Sequence, residues 1–260
     1  MKIIGVIPAR MASTRFPGKP LAKILGLPMI GHVYFRSKLC SLLEGVFIAT
    51  CDKAIQDYAV SIGAPCVMTS YKHERASERT AEAVEKIEAL SGQSIDRVMM
   101  IQGDEPLLQP ELLERAMTPL KEESTLNVVN LMAAITNEED FSSPNVVKLV
   151  VGLNQNALYF SRERIPSRKK WNRSIPMFKQ LGLIAFRRSY LAKYVSLSPS
   201  PLEMIESVDM LRVLEYGDSV RMVLVEGVSI GVDTPEDLAR VEKLISEDLL
   251  LPRYLGSAVL

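Results

Sequence analysis

The chain has 260 residues, 47% of them hydrophobic, enough to bury a core without disulfides or metals. Its 31 Lys and Arg balance 31 Asp and Glu, which excludes a global attraction to nucleic acid or membrane and leaves local charge clusters to carry any electrostatic function. Cys40, Cys51 and Cys66 show no C-x-x-C spacing and argue against a secreted disulfide framework, Arg10 interrupts the first apolar run, and no run reaches the ~18 residues of a membrane span, so a cytoplasmic protein is expected.

From the start of the chain, "KIIGVI", "GVFIAT", "PCVMT" and "RVMMIQG" read as strands, and "MIGHVYFRSKLC", "DKAIQDYAVSIG" and "SERTAEAVEKIEAL" between them have helical periodicity. That alternation predicts an α/β fold with a mostly parallel sheet and right-handed crossovers. After a helix beginning near Pro110 the pattern changes to "NVVNLMAAI", "NVVKLVVGL" and "ALYFSR", without a long helix between them. These define a strand-rich insertion over about 128–200 within one domain of residues 1–260, with dimerisation and acceptor binding as its expected tasks. "PLEMIESVDMLRVLEYG" then reads as a single helix ending at Gly217, followed by the strand "SVRMVLVEG". In "GVDTPEDLARVEKLI", Thr234 is placed as an N-cap with Pro235 at N1 and Asp237 at N3. The final "LPRYLGSAVL" is expected to be a loosely held tail.

Three strand ends carry the chemistry. The loop "PARMASTRFPGKPL" holds Arg10, Arg15 and Lys19 with no acid, and its free amides and the Ser13 and Thr14 hydroxyls can face an anion. It lacks G-x-x-x-x-G-K-[ST] and G-x-G-x-x-G, so it is a phosphate cradle of another kind, set where open parallel sheets bind ligands. "IQGDEPLL" brings Gln102, Asp104 and Glu105 to the end of a strand, and "GVDTPEDL" does the same for Asp233. Two such carboxylates can bracket one or two Mg²⁺ ions, which take oxygen ligands and screen phosphate charge.

Taken together, "PARMASTRFPGKPL", "QGDEPLL", "ALYFSR", "PSPLE", "LRVLEYG" and "GVDTPEDLARV" resemble the 3-deoxy-manno-octulosonate (Kdo) cytidylyltransferase family, in order and at similar spacing from about residue 2 to about residue 245. The resemblance implies a Rossmann-like nucleotidyltransferase fold of the glycosyltransferase-A type, a homodimer, and a reaction of CTP with an acid sugar that releases pyrophosphate. By position it implies that Arg10, Ser13 and Lys19, with Ala9 and Arg15 beside them, grip the CTP phosphates, and that Asp104 and Asp233 hold Mg²⁺. Arg79, with Ser77 nearby, falls close to the cytosine; Gln102 and Arg162, with Arg164, fall at the acid sugar. Arg10, Lys19, Asp104 and Asp233 are the expected catalytic set, acting by positioning and electrostatics.

The chain departs from the family at several places. Arg75 and Ala76 replace a Ser-Gly pair before the third helix. Gln180 and Ile184 stand where the family has His and Tyr, and Asp209 and Met210 where it has Glu and Gln. Ile and Met remove polar partners that a polyhydroxylated sugar uses, and the segment 162–173 carries six cations against Glu163 alone. These features raise a more anionic or less hydroxylated acceptor, such as amino-Kdo, another 2-keto acid or a phosphonate, and leave a non-catalytic nucleotide-binding protein as the alternative of another class. Gln180 and Asp209 remain candidate acceptor contacts. His32 is expected in the core, His73 receives no role, and Glu203 is expected to face solvent.

Overall fold

Seven consecutive buried residues open the chain's regular structure: β1 (Ile3–Ala9) has no solvated face, the pattern of a central parallel strand rather than an edge. A computed structural model describes residues 1–12, 16–170, 175–226 and 230–258, the last three through their backbone only. Ser13, Thr14 and Arg15 of the cationic loop, and Trp171 and Arg173 of the basic segment, lie outside the described residues. The chain divides into two units, Met1–Glu114 with Val228–Leu260, and Arg115–Gly227.

In the first unit β1 is followed by the short hairpin strands β2 (Lys23–Ile24) and β3 (Leu27–Pro28), then α1 (Met29–Lys38), β4 (Gly45–Thr50), α2 (Lys53–Ser61), β5 (Cys66–Met68), α3 (Ala76–Ser91) and β6 (Arg97–Ile101). β1 pairs in parallel with β4 on one side and with β6 on the other, and β4 pairs in parallel with β5. This is the alternation expected from the sequence, and it brings the ends of β1, β4 and β6 to one rim, where open α/β sheets bind ligands. α4 (Pro110–Glu122) contains the point at which the two units divide.

The second unit holds β7 (Val128–Ala134), α5 (Glu138–Ser142), β8 (Lys148–Val151), β9 (Ala157–Ser161), β10 (Phe178–Arg187), α6 (Arg188–Ser196), α7 (Pro201–Glu206), α8 (Met210–Glu215) and β11 (Arg221–Leu224). β7 runs antiparallel to β10 and parallel to β11, while β8 runs antiparallel to β10 and β9. The unit is thus wider than the 128–200 insertion read from the sequence, because β11 adds to β7 from beyond it. A register irregularity between Gln180 and Ile184 bends β10, and the buried Asn130 fills it by donating to the carbonyls of Leu181 (2.8 Å) and Leu183 (3.0 Å).

Two expectations about helices are corrected. The single helix read over 201–217 is two, α7 and α8, broken at Ser207, whose φ of +54° ends α7 in the left-handed region. The break lets Arg212 form a two-pronged pair with Glu203 at 2.6 and 2.7 Å, both side chains buried, so Glu203 does not face solvent. It also brings the Glu215 carboxylate to the start of α7, where it accepts from the N–H of Leu202 at 3.1 Å and of Glu203 at 3.2 Å.

The chain end forms α9 (Pro235–Ser246) and α10 (Leu251–Ala258) and is held rather than loose. Tyr254 is buried, and its hydroxyl lies 2.8 Å from His32 Nδ1 and 3.2 Å from Arg36 Nε. Burial, with the Arg36 guanidinium alongside, holds the His32 pKa down at about 4. His32 is therefore neutral: Nε2–H donates to Ile24 O (2.9 Å) and Nδ1 accepts from Tyr254. The fully buried Arg36 reaches Asp248 at 2.7 Å, completing a polar clasp in an otherwise apolar interior. No helix among the described residues is long and apolar enough to cross a membrane.

Candidate functional site

A cleft of about 360 Å³ opens at the rim formed by β1, α3 and β6 in the first unit. Ala9, Arg10 and Lys19 line it from the loop after β1, Gln102 and Asp104 from the turn after β6, and His73, Ala76 and Arg79 from the start of α3 and the loop before it. Gly103 permits the turn after β6 to lie against β1, since a Cβ there would stand 3.3 Å from the Pro8 carbonyl.

Residues 128 positions apart meet at Asp104 because their backbones pair. The Val232 N–H donates to the Asp104 carbonyl at 2.9 Å, which sets Asp233 beside Asp104. Beneath them Ile24, Met29, Leu107, Val232, Val241 and Ile245 form one buried cluster, so α9 is seated by apolar packing against α1 and the β2–β3 hairpin. Asp237 acts as the sequence predicts for a capping box: its Oδ2 accepts from the N–H of Asp233 and of Thr234, each at 3.0 Å, while the Thr234 hydroxyl accepts from Asp237 N–H at 3.2 Å.

Lys19 closes the arrangement. Its ammonium donates to Asp104 Oδ2 at 2.6 Å, to Asp233 Oδ1 at 3.0 Å and to Val232 O at 2.9 Å, using all three of its protons. Burial alone would lower the Lys19 pKa; Asp104 and Asp233 outweigh it and raise the value above the ordinary 10.5. The two carboxylates, drawn to one cation, lie close enough to share an ion. An all-oxygen pair of carboxylates fits a hard divalent cation that keeps substrate oxygens and water as its other ligands, and does not suit a soft metal. Among the described residues no group of three or more His, Cys, Asp or Glu forms a complete cage.

The wall near α3 is built by side chains that hold backbone. Arg79 is buried and donates to the Thr69 hydroxyl at 2.5 Å, to Ser70 O at 3.3 Å and to His73 O at 3.3 Å, shaping the loop 69–75. Ser77 is buried in the first turn of the helix, and Glu78 accepts from the Arg75 N–H at 3.4 Å, so Arg75 starts α3 in extended conformation. Glu82 takes the Ser70 N–H (2.8 Å) and His73 Nε2 (2.5 Å), and its pKa is lowered to about 2: burial opposes the shift, and Lys86, Ser70 and His73 overcome it. Nothing in the spacing of His73 and Glu82 marks them as partners; only folding of the loop onto α3 joins them.

Of the residues expected at the acceptor, Gln102 lines the cleft of the first unit, and Arg162, Arg164, Gln180 and Asp209 lie in the second. Arg162 donates to the carbonyls of Glu206 (2.7 Å), Pro144 (2.8 Å) and Ser207 (3.3 Å). Arg164 pairs with Glu138 and lies over the Phe141 ring, as does Arg168, at 3.2 Å from Glu138. Part of the basic segment is therefore held on α5 rather than free in solution. Gln180 donates to Asn130 Oδ1 at 2.6 Å, and Asp209 stands at the N-cap position of α8 without a capping hydrogen bond from its side chain. Ile184 and Met210 are buried, so their apolar character has a packing explanation that requires no unusual acceptor.

Comparison with known proteins shows the family and the fold. The family described as Cytidylyltransferase matches residues 4–225. A 3-deoxy-manno-octulosonate cytidylyltransferase of Geobacter metallireducens is 41% identical over 256 residues, covering 95% of this chain and 98% of that protein. One of Geotalea daltonii is 43% identical over 251 residues, covering 93% and 97%. The solved structure of CMP:2-keto-3-deoxy-manno-octonic acid synthetase complexed with CTP superposes with a TM-score of 0.87 at 34% identity, over 96% of this chain and all of that one. The chain therefore belongs to the 3-deoxy-manno-octulosonate cytidylyltransferase family and is a nucleotidyltransferase of mixed α/β fold.

Proposed function

We propose that the protein transfers CMP from CTP to 3-deoxy-manno-octulosonate, with release of pyrophosphate. The observation that carries the reading is the Lys19 ammonium bound to Asp104 and Asp233, in a cleft that Lys19, Asp104 and Arg10 line. In this reading the triphosphate lies against the loop after β1, where Arg10 and Lys19 neutralise the leaving pyrophosphate. Arg79 and Ser77 lie on the side of the cytosine, with Arg79 acting through the loop carbonyls it holds.

A hydroxyl of the acceptor attacks the α-phosphorus. A new P–O bond forms as the bond to the β-phosphate oxygen breaks, the pyrophosphate departs with the electron pair, and the hydroxyl proton passes to solvent or a nearby base. Asp104 and Asp233 would hold Mg²⁺, whose charge when bound screens the phosphate oxygens and orients them for in-line displacement. Gln102 is the candidate acceptor contact in the cleft, and Arg162, Arg164, Gln180 and Asp209 are the candidates in the second unit. A homodimer, which the family resemblance implies, and a location in the cytoplasm, where CTP is made, belong to the same reading.

Pyrophosphate release measured with CTP, MgCl₂ and Kdo tests the function. The expected result is turnover that needs both substrates and a divalent cation and that favours CTP over UTP, GTP and ATP. Absence of turnover with Kdo, or a higher kcat/KM with a phosphonate, would refute the proposed acceptor.

A further inference from the structure

Asp52 occupies the N-cap of α2, where an aspartate ordinarily accepts from the first free amides of its own helix, yet its side chain caps none of them. Its Oδ2 instead accepts the N–H of Met11, 41 residues earlier, at 2.8 Å. The carboxylate is held for this: Asp52 N–H donates to the buried Thr50 hydroxyl at 3.1 Å, and the Cys51 thiol donates to the same Oδ2 at 3.6 Å. On its other side the Met11 carbonyl accepts from Gly18 N–H at 3.1 Å, with Gly18 in the left-handed region at φ +75°. Met11 is thus gripped through both its N–H and its C=O. Arg10 precedes it directly, and Lys19 follows Gly18 directly, so one carboxylate at the end of β4 sets the base of the loop that spaces two cleft cations.

We propose that Asp52 is a positioning residue for the triphosphate loop, an inference that rests on reading the cleft as the nucleotide site. Leaving a helix start uncapped gives up local stability, and proteins accept such local losses where a site requires them. A negative charge beside a polyphosphate site weakens anion binding, so the useful property of Asp52 is its hydrogen-bond acceptor and not its charge. Asparagine retains the acceptor; alanine removes it.

The experiment compares Asp52→Ala, Asp52→Asn, Arg10→Ala and wild type in the full chain. It measures CTP affinity by calorimetry without acceptor, steady-state kinetics, and thermal unfolding. Asp52→Ala is expected to weaken CTP about tenfold in Kd and KM while kcat at saturating CTP stays within twofold, the pattern of lost uniform binding. Asp52→Asn is expected to bind CTP as well as wild type or better. If Arg10→Ala weakens CTP and Asp52→Ala does not, this inference alone fails. If neither weakens CTP, the phosphate reading of the loop fails and takes the inference with it. Equal losses in Asp52→Asn and Asp52→Ala also overturn it. Should Asp52→Ala not fold, hydrogen exchange at the Met11 amide decides: protection retained in Asp52→Asn supports the acceptor role, and protection lost there overturns it.

Discussion

Replacing Lys19 by Met tests the centre of the site most directly. The ammonium is 13% exposed and the two carboxylates 31% and 32% exposed, so the cluster is neither a surface pair nor a fully buried one. Removing one partner of a buried pair costs roughly 3–5 kcal/mol, and partial solvation of Asp104 and Asp233 reduces this to about 2 kcal/mol, or roughly 4–8 °C in Tm for a chain of this size. Because the folded pKa of Lys19 is raised, its contribution is fully present below the ordinary value of 10.5 and is lost only as pH rises through the folded value. The deficit of the variant is therefore constant between about pH 6 and pH 9. Two carboxylates without their shared cation attract a divalent ion, so MgCl₂ is expected to raise the variant's Tm by more than that of wild type. In the proposed reading Lys19 also neutralises the leaving pyrophosphate, and its loss is expected to lower kcat by about 10²–10³. Scanning calorimetry with and without MgCl₂ and the pyrophosphate assay check both effects. A variant within 0.5 °C of wild type in Tm and within about threefold in kcat would refute the reasoning.

Four further outcomes concern the scaffold. The folded pKa of His32, about 4 against the ordinary 6.5, means that the unfolded chain binds the proton more tightly, so stability is lost as pH falls from 6.5 towards 4; the full effect is roughly 3 kcal/mol, and in His32→Gln this part of the pH dependence disappears from urea unfolding curves. Arg212→Met leaves Glu203 buried without its two-pronged partner and is expected to destabilise the fold by about 3–5 kcal/mol in urea unfolding, with Glu203→Gln milder. The Tyr58 hydroxyl is buried without a hydrogen-bond partner among the described residues, so Tyr58→Phe is expected to stabilise by about 1 kcal/mol. A Cβ on Gly31 would overlap that hydroxyl, so Gly31→Ala is expected to destabilise wild type by about 1–3 kcal/mol and the Tyr58→Phe background by less, a coupling that a double-mutant cycle measures.

The alternation of strands and helices over the first hundred residues was legible because each element declares itself locally. β1 is an unbroken apolar run, and α9 carries its Thr234 cap and Pro235 in sequence. The acid-free cationic loop and the carboxylates after β6 and before α9 were legible for the same reason: strand ends in a parallel sheet are marked by where apolar runs stop. The single long helix over 201–217 was misread because its periodicity continues through Ser207, while the break there serves contacts between Arg212 and Glu203 and from Glu215 back to the start of α7. Tyr254 and the chain end were misread because the polar partners that hold them, His32 and Arg36, lie more than 200 residues away. Local chemistry thus determined which charged residues stand at the strand ends. Tertiary structure decided how they stand to one another: Lys19 lies between Asp104 and Asp233, not across from them, and Asp52 serves Met11 in preference to its own helix. The reason is that hydrogen bonds and ion pairs are short-ranged, so their partners are chosen by where the sheet places its strand ends and not by distance along the chain.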